Sequence, residues 1–510
     1  MNFRSVLITA LGFLFIQSAA SAQTLFPVNG ARNVNPDVQL KITFSQPPAI
    51  GAAGKVCVYD AATDRLVDTL ALSIPPGPTE RATGASLTAP YLASPYRYER
   101  SAIPTNRNTK AGTPSPGAEP TSDKYQLTII GGFTDGFHFY PIIINGNTAT
   151  IQLHHNLLDY RKTYYVLIDP GVLTVADGSF RGVTDKQAWR FSTKLQAPRS
   201  NTRQIVVSAD GTGDFNTVQG AIDFVPDHSQ KRVTILVRKG VYQEIVYFRN
   251  KDNVTFLGEY RDQTLVRYAN NEVFNPHPVN IRTNELAGTF PSRRAAFAVD
   301  NSNGIHMLNL TLETTAPGQA EGLLVNGQRN ILKNVRVIGF GDALQVNGPA
   351  YIVDSLIEGA GDTILGRGPA FFERTTLKSR SVFMWIRNTA ANHGNVFKDC
   401  NFVGTAEPTV LARSPKNGNS TYPFAEAVLL NCTLTGIRPE GWGPADEGGN
   451  VRFWEYNSRN ADGSAVDVSK RSALSRQLDK EKDAKLIADF GKPAFVLGGW
   501  DPQLAKTDLH

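Results

Sequence analysis

Six segments of this chain align on one position: IHMLNLTLET, NILKNVRVIG, AYIVDSLIEG, AFFERTTLKS, NVFKDCNFVG and AVLLNCTLTG, whose fifth residues are Asn309, Asn334, Asp354, Arg374, Asp399 and Asn431. The intervals between them are 25, 20, 20, 25 and 32 residues. A short strand of alternating apolar residues recurring at this period is the mark of a β-solenoid, in which each coil stacks on the one before. The unequal intervals then fall in loops that project from the coils. The competing arrangement, a sandwich with fortuitously similar strands, has to produce six aligned segments by chance.

The open end of a solenoid presents unpaired backbone that recruits another chain unless it is covered. Ahead of the coils, ADGTGDFNTVQGAIDFVP supplies a cover: Asn216 or Thr217 caps a short helix whose Val218, Ala221 and Ile222 face one way. Behind them, SALSRQLDKEKDAKLIADF sets Leu474, Leu478, Leu486, Ile487 and Phe490 among charges. That pattern predicts a helical tail packed on the side of the solenoid.

Upstream of the repeats the sequence changes style. From Phe26 to about Lys194, short alternating segments such as VQLKITFS, KVCVYDA, YYVLIDP and AWRFSTK stand between turn-rich stretches, as strands with one buried face do. From about Pro75 to Asp123, Pro, Gly, Ser, Thr and charged residues dominate, which predicts one long loop. An all-β sandwich with a large insertion follows. PVNGARNVNPDVQLKITFS and GSFRGVTDKQAWRFSTK resemble the Ig-like modules of bacterial surface and secreted proteins. His154 and His155 are adjacent, so on a strand they point to opposite faces, which argues against a shared metal. With QAPRSNTRQ as linker, the expected division is a leader over residues 1–22, the Ig-like sandwich over 23–197 and the solenoid over 198–510.

The leader reads as a secretory signal: Arg4, an apolar run from Val6 to Ile16, and Ala20-Ser21-Ala22 as the cleavage site. The run is shorter than the roughly 20 residues of a spanning helix, so export to the periplasm or beyond is expected, with no membrane span. Without Arg4 the chain keeps 51 basic against 46 acidic residues, a mild excess that suits an acidic polymer. Nucleic acid is a poor partner, since no dense basic cluster interleaves with aromatics. Cys57, Cys400 and Cys432 are too few for a disulfide scaffold. Cys400 and Cys432 hold the same place in two aligned segments, so they are expected to be close, bonded or free, with Cys57 unpaired.

The chemistry is carried by two aspartates. Asp342 lies eight residues after Asn334, and Asp362 eight residues after Asp354, so they hold equivalent places in successive coils. Stacked strands are about 4.8 Å apart, which brings the two carboxyls within about 5 Å if both face one groove. Such a pair cannot ionise twice cheaply: one pKa rises while the other stays low, giving an acid and a nucleophile at one pH. An Asp after Gly is also common in tight turns, but two in register, in GDALQV and GDTILG, favour the paired reading. Calcium needs six or more oxygens, more than this pair supplies.

From Val206 to Pro502 the chain resembles the pectin methylesterases. The carrying motifs are ADGTGDF, GVYQE ending at Glu244, QAEGL from Gln319, GDAL from Gly341, GDTILG from Gly361, LARSP from Leu411, Gly441-Trp442 and FVLGGWDP. The resemblance implies a right-handed parallel β-helix of the pectin-lyase-like kind and a carbohydrate esterase that needs no metal or other cofactor. It also implies roles: Asp362 as nucleophile, Asp342 as acid and then base, Arg413 holding Asp362 ionised, and Gln319 donating to the oxyanion. The chain departs from the family at Gly341, where a glutamine is usual, at Thr363, where phenylalanine is usual, and after Arg413, where LGRPW becomes LARSP. Trp385 and Trp442, with Thr363, are the candidates for contacting sugar in their stead. The expected enzyme is a monomer that hydrolyses methyl esters of uronic acid units in pectin or a related polysaccharide. The alternatives are a non-catalytic carbohydrate-binding or surface protein, motivated by Gly341 and LARSP, and a calcium-dependent solenoid lyase.

Overall fold

The structure is a computed structural model that describes residues 23–79, 125–131, 136–276, 293–413, 415–416, 421–443 and 450–503. The expected leader and most of the expected long loop lie outside the described residues.

From Gln204 onward the chain winds into a right-handed parallel β-helix. It is built from three parallel sheets of eleven, nine and six described strands, the last spanning residues 246–386. One full coil is Asn330–Lys333, Arg336–Ile338 and Leu344–Val346, and the next is Ala350–Val353, Leu356–Gly359 and Ile364–Gly366. Inward side chains such as Phe297, Leu323, Leu344, Ile364 and Met384 stack into one apolar column inside the coils. Burying that column from coil to coil is what holds a solenoid together.

The aligned fifth residues are the bends between the first and second sheets. Asn309, Asn334, Asp354, Arg374, Asp399 and Asn431 all adopt left-handed backbone, with φ between 46° and 56°. Asn and Asp tolerate that region because their short side chains bond locally. Here those bonds run between coils: Asn334 Nδ2 donates to Asn309 Oδ1 at 2.9 Å, and Asn431 Nδ2 to Asp399 Oδ1 at 3.2 Å. Arg374, an unusual residue for this backbone, donates its Nε to Asp354 Oδ1 at 2.8 Å. Asn457 adds a further rung, donating to Asn431 at 2.9 Å.

The helix Val218–Phe224 closes the first coil, with Thr217 as N-cap accepting from Gly220 N. Val218, Ala221 and Ile222 join the solenoid core. Glu244, the last residue of GVYQE, accepts from Val218 N and Gln219 N at 2.8 and 2.9 Å, satisfying amides that a helix start leaves open. The tail differs from expectation. Ser475–Gln477 is the last strand of the eleven-stranded sheet, and the helices are the shorter Ala484–Phe490 and Pro493–Val496. The preceding strand's unpaired edge was a stronger demand than helical periodicity. Phe490, Val496 and Leu497 cover the outer apolar face formed by Phe371, Val396 and Val428.

Upstream, a four-stranded and a five-stranded sheet share one core around Trp189, Leu40, Val58 and Val166. This sandwich is tied to the β-helix through Asp37, whose Oδ2 accepts from Asn216 N, Thr217 N and Thr217 Oγ1. His154 bonds Asp68 within the sandwich, while His155 bonds Asp223 on the closing helix. Cys400 and Cys432 stand in register on adjacent coils, both buried and both free, and burial pushes the Cys432 thiol up. No helix among the described residues is long and apolar enough to cross a membrane.

Candidate active site

The third sheet sets the site. Leu323 pairs with Leu344 and Leu344 with Ile364. Two residues ahead of these partners stand Glu321, Asp342 and Asp362, one carboxylate per coil at one place in the winding. The aspartate pair is therefore the end of a column of three.

Each carboxylate has a guanidinium. Arg413 reaches from two coils further on, where Ala412 bridges to Met384, the partner of Ile364, and donates NH1 to Asp362 Oδ2 at 2.9 Å. Arg294, ahead of the strand Phe297–Asp300, donates NH2 to Asp342 Oδ2 at 2.9 Å. The same guanidinium clasps Glu321 through Nε at 2.8 and 2.9 Å and through NH2 at 2.5 Å. Glu321 is fully buried.

Burial pushes the Asp342 carboxyl up to about 7, with Glu321 and Asp362 adding to the rise and Arg294 and Arg387 opposing it. Asp362 is raised as well, again by burial, with Arg413, Arg387 and Arg294 pulling it down. The expectation that one pKa rises while the other stays low is met at Asp342 only, since Asp362 is raised too. Desolvation of a carboxylate outweighs even a bonded arginine here. Asp362 also sits at φ 43° in the left-handed region, a placement that costs on the order of 1–3 kcal/mol and concentrates at functional sites. Its Oδ1 is buried without a hydrogen-bond partner, so it is the carboxylate oxygen that Arg413 does not hold.

Gln319 is exposed at the Glu321 end of the column, and its Oε1 accepts from Arg294 NH1 at 2.7 Å. With the carbonyl end held, the amide NH2 is the end left to donate. Gly341 has its N bonded to Gly318 O at 2.9 Å, and a Cβ at this position would lie 2.5 Å from that same oxygen. A larger residue is therefore refused by backbone, not by a movable side chain.

Two expected sugar contacts are corrected. Thr363 is fully buried, with Oγ1 donating to Ser379 Oγ at 2.8 Å and its carbonyl accepting from Ala343 and Leu344. The alternation of the strand turns it inward next to the outward Asp362. Trp442 is 1% exposed, stacked on Phe453 and donating Nε1 to Glu455 at 2.9 Å, so it fills the late solenoid core. Trp385 does reach the site, but its ring carries the Arg387 and Arg413 guanidinium groups at 4.5 and 4.7 Å from the centroid. Its π surface is engaged in holding cations rather than open to sugar.

Sequence reasoning passed over four residues. Glu321 was legible, since it precedes its strand by the same two residues as the aspartates. Arg294 lies upstream of the first aligned segment, where no register signal existed. Arg387 follows its strand at the place that Asn347 and Arg367 take in earlier coils. Phe340, two residues before Asp342, is 45% exposed. Among the described residues no group of three or more His, Cys, Asp and Glu is arranged to hold a metal, and the arginines around the column repel a cation.

Comparisons with known proteins converge on one family. A pectin methylesterase structure from carrot is similar, at a TM-score of 0.48 and 21% identity over 60% of this chain and 95% of that one. Arabidopsis thaliana probable pectinesterase/pectinesterase inhibitor 19 is 26% identical over 301 residues, 56% of this chain and 55% of that protein. Pectinesterase 31 of the same plant is 28% identical over 270 residues, half of this chain and 83% of that protein. The chain spans little more than half the length of several relatives it matches. Residues 204–498, more than half of the chain, match the pectinesterase family model, and the chain belongs to the pectinesterase family.

Proposed function

We propose that the chain hydrolyses methyl esters of uronic acid units in pectin or a related acidic polysaccharide. The observation that carries this reading is the column that sets Asp342 and Asp362 in adjacent coils, each with its own arginine. Asp362 Oδ1 attacks the ester carbonyl, and the oxyanion that forms takes a hydrogen bond from the Gln319 amide. As the tetrahedral centre collapses, the C–O bond to the methoxy group breaks, and protonated Asp342 gives its proton to release methanol. Asp342, now ionised, takes a proton from water; the hydroxide attacks the acyl carbonyl, and the uronate leaves with Asp362 regenerated. Arg413 keeps Asp362 ionised between cycles, and Trp385 keeps Arg413 in place. Phe340 offers the open aromatic surface for a sugar ring.

Methanol release from methyl-esterified polygalacturonate tests this directly. The wild type is expected to turn over and Asp362→Asn to lose at least a thousandfold; equal rates would sink the assignment. The second reading, a pectin-binding protein without turnover, draws on Gly341, where a side-chain donor is sterically refused. Binding without methanol from any uronate ester would select it.

The remaining expectations stand beside this proposal: export after cleavage near Gln23, an Ig-like spacer or binding unit over 23–197, an esterase unit over 198–510, and a monomer. N-terminal sequencing of the exported protein and its molar mass in solution test them.

A further inference from the structure

The esterase reading leaves Arg294 and Glu321 without a task, although Arg294 touches more of the site than any residue in that mechanism. Its guanidinium joins Asp342 Oδ2, Gln319 Oε1 and both oxygens of Glu321, all between 2.5 and 2.9 Å. Glu321 is fully buried and the Arg294 side chain is 11% exposed. An ion pair this deep holds only when its geometry is satisfied on every side. Arg294 has five N–H groups: Nε and one of NH2 go to Glu321, the other of NH2 to Asp342, and one of NH1 to Gln319. The fork is thus oriented by Glu321 and presents its remaining edge to the groups that meet the ester.

Resting on the esterase reading, we propose that Arg294, locked by Glu321, is a positioning residue that ties the acid/base Asp342 and the oxyanion donor Gln319 into one unit. Through the fork, the proton affinity of Asp342 and the aim of the Gln319 amide are set together. Glu321 and Arg294 act on Asp342 with opposite sign, the carboxylate holding its proton on and the guanidinium drawing it off. The other charged groups facing Asp342 are Asp362, with Arg413 behind it, and Arg387; Glu272 faces Arg294.

The test uses the full chain and three variants: Glu321→Gln, Arg294→Met with Glu321→Gln, and Arg294→Lys. The double variant avoids leaving a buried carboxylate alone, and thermal melts check that all three fold. The Asp342 carboxyl is titrated by carbon NMR, with its signal assigned from Asp342→Asn, so this readout does not require turnover. Glu321→Gln is expected to lower the Asp342 pKa by about one unit, and adding Arg294→Met to raise it again by at least as much. Arg294→Lys is expected to cost at least tenfold in kcat with KM changed less than threefold, because a point charge cannot hold three groups as a planar fork does. Opposite shifts support the proposal, as does the kcat loss. An Asp342 titration unmoved in all variants overturns it, and so does wild-type kcat in Arg294→Lys. If no uronate ester is turned over by the wild type, the esterase reading fails, and the catalytic unit proposed here falls with it even where the NMR shifts appear.

Discussion

Asp342 and Asp362 stand two residues ahead of the register partners Leu344 and Ile364, so one turn of the β-helix separates them. Arg294 holds the first and Arg413 the second, both at 2.9 Å. The arginines are alike, and the difference lies in Glu321, which adds to the rise of Asp342; the proposed division into acid and nucleophile rests on that asymmetry.

Asp342→Asn removes the proposed proton donor but leaves Asp362 and Arg413 in the chain. The expected loss in methanol release is about 10²–10⁴, the usual worth of general acid–base catalysis. Esters with better leaving groups need less proton donation, so a chlorinated alkyl ester should lose less than the methyl ester. Equal losses on both would argue against the acid role.

Activity should be bell-shaped in pH. Asp342 must hold its proton to release methanol, and its pKa is raised to about 7, so kcat/KM should fall above about pH 7. Asp362 must be ionised to attack, and burial raises it above the ordinary 3.8, so the acid limb should lie above that value. The two limbs belong to the coupled pair rather than to either group alone.

Gly341→Ala places a Cβ 2.5 Å from the Gly318 O, too close for an unstrained contact. Overpacking against backbone costs about 1–3 kcal/mol, and Gly341→Gln should cost at least as much. Denaturant midpoints compare the two with the wild type. A Gly341→Gln enzyme that is both stable and faster would show that the backbone yields.

Trp385 and Trp442 should separate cleanly. Trp442→Ala removes a fully buried ring and its bond to Glu455, for an expected loss of about 3–5 kcal/mol in stability with KM unchanged. Trp385→Ala frees Arg413 and Arg387, and should lower kcat at nearly unchanged stability.

Glu244 links pH to the join between sandwich and β-helix. Its pKa is raised from 4.5 to about 7 by burial, while the amides of Gln219 and Val218 pull the other way. A group that holds its proton more tightly when folded stabilises fully below its unfolded pKa, and that stability is lost as pH rises through the folded value. Asp37 and His155 are raised nearby and share this sign. The wild type should therefore lose stability between about pH 4.5 and 7, by no more than about 3 kcal/mol from Glu244. Chemical denaturation at pH 5 and pH 8 should show the difference shrink in Glu244→Gln.

The repeat itself was legible from the sequence because each coil must bend at one left-handed residue, and Asn309, Asn334, Asp354, Asp399 and Asn431 are the residue types that bend so at little cost. The aspartate pair was legible for the same reason, since fixed spacing from the bend becomes fixed position in the stack. Period alone could not say which side chains turn inward. Thr363 and Trp442 were expected in the groove, and the alternation of the strands and the late core took them in. Nor could it reach Arg294, which enters from a coil ahead of the aligned segments and meets Asp342 across 48 residues of chain. A linear pattern determines what recurs along the winding; only the closed, desolvated stack decides which arginine answers which carboxylate, because that choice is set by proximity across coils and by burial.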